Sequence, residues 1–304
     1  MALTRAAVRS VSSLADASSV HYICFMQRKE YFDQTCRGLS AVYPPEEARA
    51  MAFVLFEEYL RLKREDIFLD PDAGIEPSES LSIALEQLQN HRPLQYVLGQ
   101  TEFCGLTFRV NENVLIPRPE TEELVRWITD DWKDRSPRIL DIGTGSGAIA
   151  VSLAKNGADA RVSAVDISLG ALEVARENAR LNDVTVDFSL IDILIDTPPG
   201  KFDIIVSNPP YVRDSERTQM RANVLEHEPG TALFVPDSDP LRFYRRIAEL
   251  GREILTAGGA LYFEINEAFG LQTTDLLTES GYTDIEIRRD IFSKDRMAKG
   301  VRPV

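Results

Sequence analysis

The sequence predicts an α/β chain: a doubly wound parallel sheet with an antiparallel hairpin at one edge, preceded by a small helical domain. Three observations carry this expectation. From Thr121 onward, short apolar strands alternate with helical segments, the pattern of a parallel sheet covered on both faces. The last two strand-like runs, TDIEIRRD and MAKGVRP, have no helix between them, so they must return antiparallel. Before about residue 105 the apolar positions recur at helical spacing instead.

Taken in order, PPEEARAMAFVLFEEYLRL opens on prolines and acids, as helix N-termini do. Its Ala48, Met51, Ala52, Leu55, Phe56, Tyr59 and Leu60 fall on one side. After Pro71, Gly74 and Pro77 comes SESLSIALEQLQN, with Ser80 as the expected cap and Leu81, Ala84, Leu85 and Leu88 as its apolar face. QYVLGQTEFCGLTFRVNENVLIPRPET reads as a β-hairpin linker, because Leu106, Phe108 and Val110 alternate with polar neighbours. Helix 121–132, strand 138–143, a helix from Gly147, strand 161–166, helix 168–181 and strand 184–192 follow. Strand 202–211, a long loop, helix 240–256, strand 260–265, helix 268–279 and the final hairpin complete the chain. The expected boundaries are an extension over 1–25, a helical domain over 26–98, a linker over 99–120 and the α/β domain over 121–304.

Composition narrows the function. Hydrophobic residues make up 44% and charged residues 27% of 304, an ordinary globular balance, and no run approaches the roughly 18–20 apolar residues of a membrane span. The net charge is −14, from 34 basic and 48 acidic residues. Residues 26–105 alone hold 8 basic and 14 acidic side chains. That is no basic clamp, and it argues against a stable nucleic-acid partner. Cys24, Cys36 and Cys104 have no metal-ligand or CxxC spacing, and His21, His91 and His227 form no ligand pattern. No metal is expected, and the thiols read as unpaired in a reducing cytoplasm. With no long exposed apolar helix apparent, the expected state is a monomer. The first 25 residues, with Arg5, Arg9, five serines and the single acid Asp16, weakly resemble an organelle transit peptide. The favoured reading is an upstream start, with Met26 opening the globular protein of a bacterial cytoplasm; the other reading would place it in an organellar matrix.

The strongest local signal is Gly143-Thr144-Gly145-Ser146-Gly147, directly after a strand and opening a helix. Glycines there let the backbone turn sharply and approach a ligand beside free N–H groups. The motif fits an adenosyl ligand and a dinucleotide alike. Asp166 ends the next strand, where a carboxylate can accept from both ribose hydroxyls of either ligand, or can cap the helix that follows. Asp192 ends the third strand and could accept from an adenine amino group, with Ile193 against the ring.

Asn208-Pro209-Pro210-Tyr211 separates these readings. It follows FDIIVS, so it sits at the carboxyl end of a buried strand, where open α/β sheets bind ligands. Two prolines fix φ and carry no N–H. The Pro209 carbonyl and the Asn208 side-chain oxygen can then accept from one NH2 group, with Tyr211 packing on a planar substrate. An amide nitrogen is a poor nucleophile, and such a grip would orient it toward an activated methyl group.

These motifs resemble the peptide chain release factor glutamine N5-methyltransferases, within the seven-strand adenosylmethionine enzymes. The match covers roughly residues 26–304 and rests on LIPRPETE (115–122), ILDIGTGSGAIA (139–150), Asp166, VSNPPYV (206–212), EHEPGTAL (226–233) and RDxxxxxRMAKG (289–300). The resemblance implies a Rossmann-like methyltransferase sheet and S-adenosylmethionine bound by Gly143 through Gly147, Asp166, Asp192 or Ile193, and Asn208. It implies that Asn208 and Pro209 hold the substrate glutamine amide, that Pro210 and Tyr211 line that pocket, and that Arg118 and Glu120 lie near it, either touching substrate or orienting their loop through an ion pair and a helix start. It further implies that the N-terminal helices dock a release factor whose glutamine lies in a Gly-Gly-Gln loop. No aromatic adjoins Asp192, which leaves adenine stacking there unsupported. The rival readings are an N6-adenine DNA or RNA methyltransferase, a ribosomal-protein glutamine methyltransferase, and a nicotinamide-dependent oxidoreductase that would leave the Asn-Pro-Pro-Tyr turn unexplained.

Overall fold

The computed structural model describes residues 25–157 and 159–304. The expectations for the N-terminal extension, Cys24 and His21 fall on residues outside these, Phe25 excepted. The chain passes from one compact unit to another between Ser82 and Ile83.

The first unit is mainly helical. A short antiparallel pair, β1 (Met26–Gln27) and β2 (Gly74–Ile75), encloses α1 (Arg28–Leu39), α2 (Pro45–Leu60) and α3 (Arg64–Leu69). Helix α2 starts with Pro45 in its first turn beside Glu46 and Glu47, and stops where Arg61 turns left-handed at φ 56°, which fits proline and acids at a helix start. Phe32 of α1 lies against Phe53 and Phe56 of α2, with ring centroids 4.6 and 5.3 Å apart. Helix α4 (Glu79–Gln89) crosses the boundary between the units. Its cap is Ser78, whose hydroxyl accepts from the Leu81 N–H at 3.3 Å, and not Ser80, because the helix begins one residue before it.

In the second unit, α5 (Leu94–Leu98) leads into the hairpin β3 (Gln100–Phe103) and β4 (Leu106–Arg109), joined through Cys104 and Gly105, both with positive φ. Then come α6 (Pro119–Trp132), β5 (Arg138–Ile142), α7 (Ala148–Asn156), β6 (Arg161–Asp166), α8 (Leu169–Leu181), β7 (Val186–Leu190) and β8 (Phe202–Ser207). The long loop holds a parallel pair that the sequence reading missed, β9 (Val212–Arg213) with β10 (Phe234–Val235), and the short helix α9 (Ala222–His227). Helix α10 (Arg242–Ile254), β11 (Leu255–Glu264), α11 (Gly270–Glu279), β12 (Thr283–Arg289) and β13 (Asp295–Val301) complete the chain.

Seven strands form one sheet in the order β12-β13-β11-β8-β5-β6-β7. Only β13 runs antiparallel, pairing with β11 on one side and β12 on the other. This is the seven-strand Rossmann-like sheet, with its hairpin at one edge. Successive residues point to opposite faces, and both faces are covered. Ile139, Ile204 and Tyr262 pack with Leu124 and Ile128 of α6 and Val151 of α7. Leu140, Ile205 and Leu261 pack with Ile247 and Leu250 of α10 and Leu277 of α11. Burial on both sides explains why these strands read as apolar runs. Strand β8 stops at Ser207, short of the expected 211, because Pro209 and Pro210 have no N–H for the ladder. Strand β11 begins at Leu255, five residues earlier than expected, with a register shift before Ala260. Among the described residues, no helix is long and apolar enough to cross a membrane, and no group of His, Cys, Asp and Glu could hold a metal ion.

Candidate active site

The chain builds outward from β5 through β6 to β7, then returns to place β8 and β11 on the other side of β5. The strand order therefore switches between β5 and β8, the place where open α/β sheets leave a crevice at their carboxyl ends. The register pairs Ile142 with Ser207, so the glycine turn and the Asn208 turn leave the sheet side by side. The Ser207 hydroxyl donates to the Ile142 carbonyl at 2.7 Å and ties the two exits together.

A cavity of about 370 Å³ opens there, within the size range of small-molecule sites. It brings together Gly143, Thr144, Gly145, Ser146, Asp166, Asp192, Ile193, Asn208, Pro209, Pro210 and Arg118. Gly147, Glu120 and Tyr211 are not part of its lining. Gly147 instead serves packing: an added Cβ would lie 3.1 Å from that of Ala175 on α8.

The glycine turn is shaped for a ligand. Gly143 and Gly145 have φ of 73° and 54°, and a Cβ on either would meet nothing within 4 Å, so their outer side faces open space. Gly143 and Thr144 donate their N–H groups to the Val165 carbonyl at 2.9 and 3.0 Å. Behind the turn, the buried Asp141 carboxyl accepts from the Thr144 hydroxyl at 2.6 Å through Oδ2, while Oδ1 completes no hydrogen bond among the described residues. Burial pushes the Asp141 pKa up to about 7; the Thr144 hydroxyl and the Ala150 amide partly offset this, and Asp166 adds to the rise.

Asp166 accepts from the Gly145 N–H at 2.8 Å and the Ser168 N–H at 2.9 Å. Each oxygen keeps a lone pair for a further donor. Burial raises its pKa against the pull of the Ser168, Gly145 and Ile167 amides. The cap of α8 is the Ser168 hydroxyl, which accepts from the Ala171 N–H at 3.2 Å, so Asp166 does not fill that role. Ile167, which the sequence reading passed over, is 62% exposed and lines the cavity. A large apolar side chain left open beside a carboxylate is suited to the face of a flat base. Asp192 is partly occupied with the Leu194 N–H at 3.0 Å, and Ile193 is buried. The open turn, the Asp166 lone pairs and the apolar side chains of Ile167 and Ile193 together fit an adenosyl ligand.

Opposite lies the Asn208 turn. Asn208 Nδ2 donates to the Thr121 hydroxyl at 3.3 Å, and Thr121 donates to Glu264 Oε2 at 2.5 Å. Among the described residues, neither Asn208 Oδ1 nor the Pro209 carbonyl accepts a hydrogen bond, so two oxygen acceptors remain at the cavity. Tyr211 differs from expectation. Its hydroxyl donates to Glu264 Oε1 at 2.9 Å, and its ring packs against the core on the α10 side of the sheet. Burial and the Glu264 carboxylate raise its pKa. Its backbone carbonyl accepts from Asn266 Nδ2 at 3.2 Å.

Arg118 pairs with Glu228 of the EHEPGTAL segment, Nη2 to Oε1 at 2.6 Å. Glu228 also accepts from the Ile116 N–H at 3.1 Å. An ion pair, one of the two alternatives for Arg118, therefore joins the segments 115–118 and 226–233 beside the cavity. The buried Asn178 of α8 donates to the carbonyls of Ser146 and Arg109 and accepts from the Arg109 N–H, linking the glycine turn to the β3–β4 hairpin. Glu264 and Asn178 escaped the sequence reading. For Glu264 there was one available signal, a lone acid inside the apolar run ALYFEI.

Comparison with known proteins extends the picture. Residues 120–233 match a family model described as the methyltransferase small domain, and residues 30–99 match one described as the PrmC N-terminal domain. A release factor glutamine methyltransferase of Bacteroides thetaiotaomicron is 49% identical over 265 residues, covering 86% of this chain and 95% of that one. Its namesake in Flavobacterium psychrophilum is 46% identical over 278 residues, covering 89% and 98%. A methyltransferase structure from Pyrococcus furiosus, 18% identical, aligns with a TM-score of 0.50 over 66% of this chain and 91% of that one; this similarity concerns the fold alone.

Proposed function

The chain belongs to the release factor glutamine methyltransferase family, and from that premise we propose that it methylates the side-chain amide nitrogen, N5, of the glutamine in the Gly-Gly-Gln loop of peptide chain release factors. The observation that carries this reading is the Asn208-Pro209 corner: two oxygen acceptors without a donor among the described residues, on the same cavity as an open glycine turn.

When bound, S-adenosylmethionine supplies a sulfonium-activated methyl group and a neutral leaving group. Gly143 through Ser146 would hold it along the turn, Asp166 would accept from its ribose hydroxyls, and Ile167 and Ile193 would flank its base. Asn208 Oδ1 and the Pro209 carbonyl would each accept one N–H of the substrate carboxamide. That grip fixes where the nitrogen lone pair points, and alignment of this kind contributes up to about 7–11 kcal/mol in well-oriented reactions. Pro210 stiffens the corner, and Tyr211 anchors it from behind through Glu264. Arg118 shapes the wall with Glu228, and Glu120 contributes the helix start of α6. The proton leaves to water. Residues 26–98 are the proposed docking domain for the release factor, 99–120 the linker and 121–304 the catalytic domain. A cytoplasmic monomer with no stable nucleic-acid partner is the accompanying reading; the net charge of −14 supports the last of these.

The test is transfer of labelled methyl from S-adenosylmethionine to purified release factor, DNA and RNA in parallel. Label is expected on the release factor alone, and Asn208→Ala should lower its kcat by on the order of 100-fold. Label on nucleic acid but not on release factor, or undiminished turnover by Asn208→Ala, would overturn the reading.

A further inference from the structure

We propose that Glu264 is a positioning residue for the methyl acceptor: acting through the Thr121 hydroxyl, it decides which atom of the Asn208 carboxamide faces the cavity. This rests on the reading of Asn208 Oδ1 as an acceptor for the substrate amide.

Glu264 ends β11, the parallel neighbour of β8, with Phe263 in register with Ser207. Its side chain is outside the cavity lining and 1% exposed, so it is no general base for the substrate. Its two oxygens hold both ends of the corner. Oε1 accepts directly from Tyr211, and Oε2 accepts from Thr121, whose oxygen in turn accepts from Asn208.

Proton counting makes this arrangement directional. A threonine hydroxyl has one proton to donate. While Glu264 is ionised, that proton is committed to Oε2, and Thr121 can only accept from Asn208. The carboxamide must then present its nitrogen to Thr121 and its oxygen to the cavity. If Glu264 carries a proton on Oε2, Thr121 accepts from it and donates its own proton to the next group. The carboxamide then turns and presents N–H groups to the substrate's amide NH2, which has only N–H groups to offer.

The groups facing Glu264 come from four directions. They are Tyr211 after β8, Tyr244 of α10, whose hydroxyl donates to the Glu264 carbonyl at 3.1 Å, Arg296 of β13 and Glu120 of α6. Burial raises the Glu264 pKa, the hydrogen bonds from Thr121 and Tyr211 and the charge of Arg296 lower it, and Glu120 adds to the rise. The net direction is upward. Acceptor geometry is thus complete above this raised pKa and is lost as pH falls through it.

The test uses the full-length enzyme with intact release factor, measuring kcat from pH 5 to 9, S-adenosylmethionine affinity by calorimetry, and Tm. Wild-type turnover establishes the parent reaction; if wild type does not label release factor, the reading of function fails rather than this inference. Given that turnover, Thr121→Val should lower kcat roughly 10–100-fold, as misplacement of a positioning group does, with cofactor affinity unchanged, and Thr121→Ser should recover most of the loss. Glu264→Gln cannot ionise and offers one acceptor where two hydroxyls now donate. It should lower kcat and abolish the wild-type acid limb while its Tm at pH 8 stays at or above that of wild type. Wild-type kcat in Thr121→Val, an unchanged acid limb in Glu264→Gln, or losses that follow cofactor affinity and Tm would each overturn the proposal.

Discussion

Replacing Asp141 by asparagine should make the enzyme's stability less dependent on pH. Asp141 is fully buried behind the glycine turn, with one oxygen bonded to Thr144 and the other without a completed hydrogen bond among the described residues. Its pKa rises from 3.8 to about 7 on folding. The folded state therefore binds the proton more tightly than the unfolded chain. This contribution to stability is full below pH 3.8 and is lost as pH rises through 7. A rise of about three pH units, at 1.36 kcal/mol each, sets the loss at about 4 kcal/mol in all. Between pH 5 and 8 about 3 kcal/mol of it should appear. Asp141→Asn keeps the shape and an acceptor for Thr144 but cannot ionise, so it should gain on wild type by that amount over the same range. Urea unfolding of ligand-free wild type and variant at pH 5, 6, 7 and 8, with m checked for constancy, measures this directly. A stability difference that is flat across those four values would refute the reasoning, and so would one that shifts in favour of wild type.

Two further outcomes follow from the same packing. Glu228→Ala strands the buried Ile116 N–H and removes the partner of Arg118, and should cost about 2–4 kcal/mol in urea unfolding. Glu228→Gln should cost about half as much; equal losses would show that the Ile116 bond is not what the carboxyl provides. Gly147→Ala should lose about 1–3 kcal/mol, because its φ of 79° and the approach of Ala175 both resist a Cβ. Gly145→Ala shares the positive-φ strain, at 54°, but its Cβ meets open space on the ligand side. It should therefore cost less stability than Gly147→Ala and in addition weaken S-adenosylmethionine binding, which thermal unfolding and calorimetry would separate.

Local chemistry made much of this protein legible in its sequence. The apolar runs of β5, β6 and β8 announce strands buried on both faces, and the absence of a helix between β12 and β13 announces their antiparallel return. Three glycines after a strand announce a turn open to a ligand, and Pro209 and Pro210 announce a corner that stops a strand. Each of these follows from the φ, N–H or side-chain periodicity of a few neighbouring residues.

Tertiary structure decided who meets whom. Thr121 reaches Glu264 across 143 residues, Asn208 reaches Thr121 across 87, and Arg118 finds Glu228 across 110. Periodicity tells which face a side chain takes, but it does not tell which strand lies alongside. The order β11-β8-β5-β6 comes from packing helices on both faces of one twisted sheet. That order brings the buried Glu264 beside the Asn208 corner and ties Tyr211 to it.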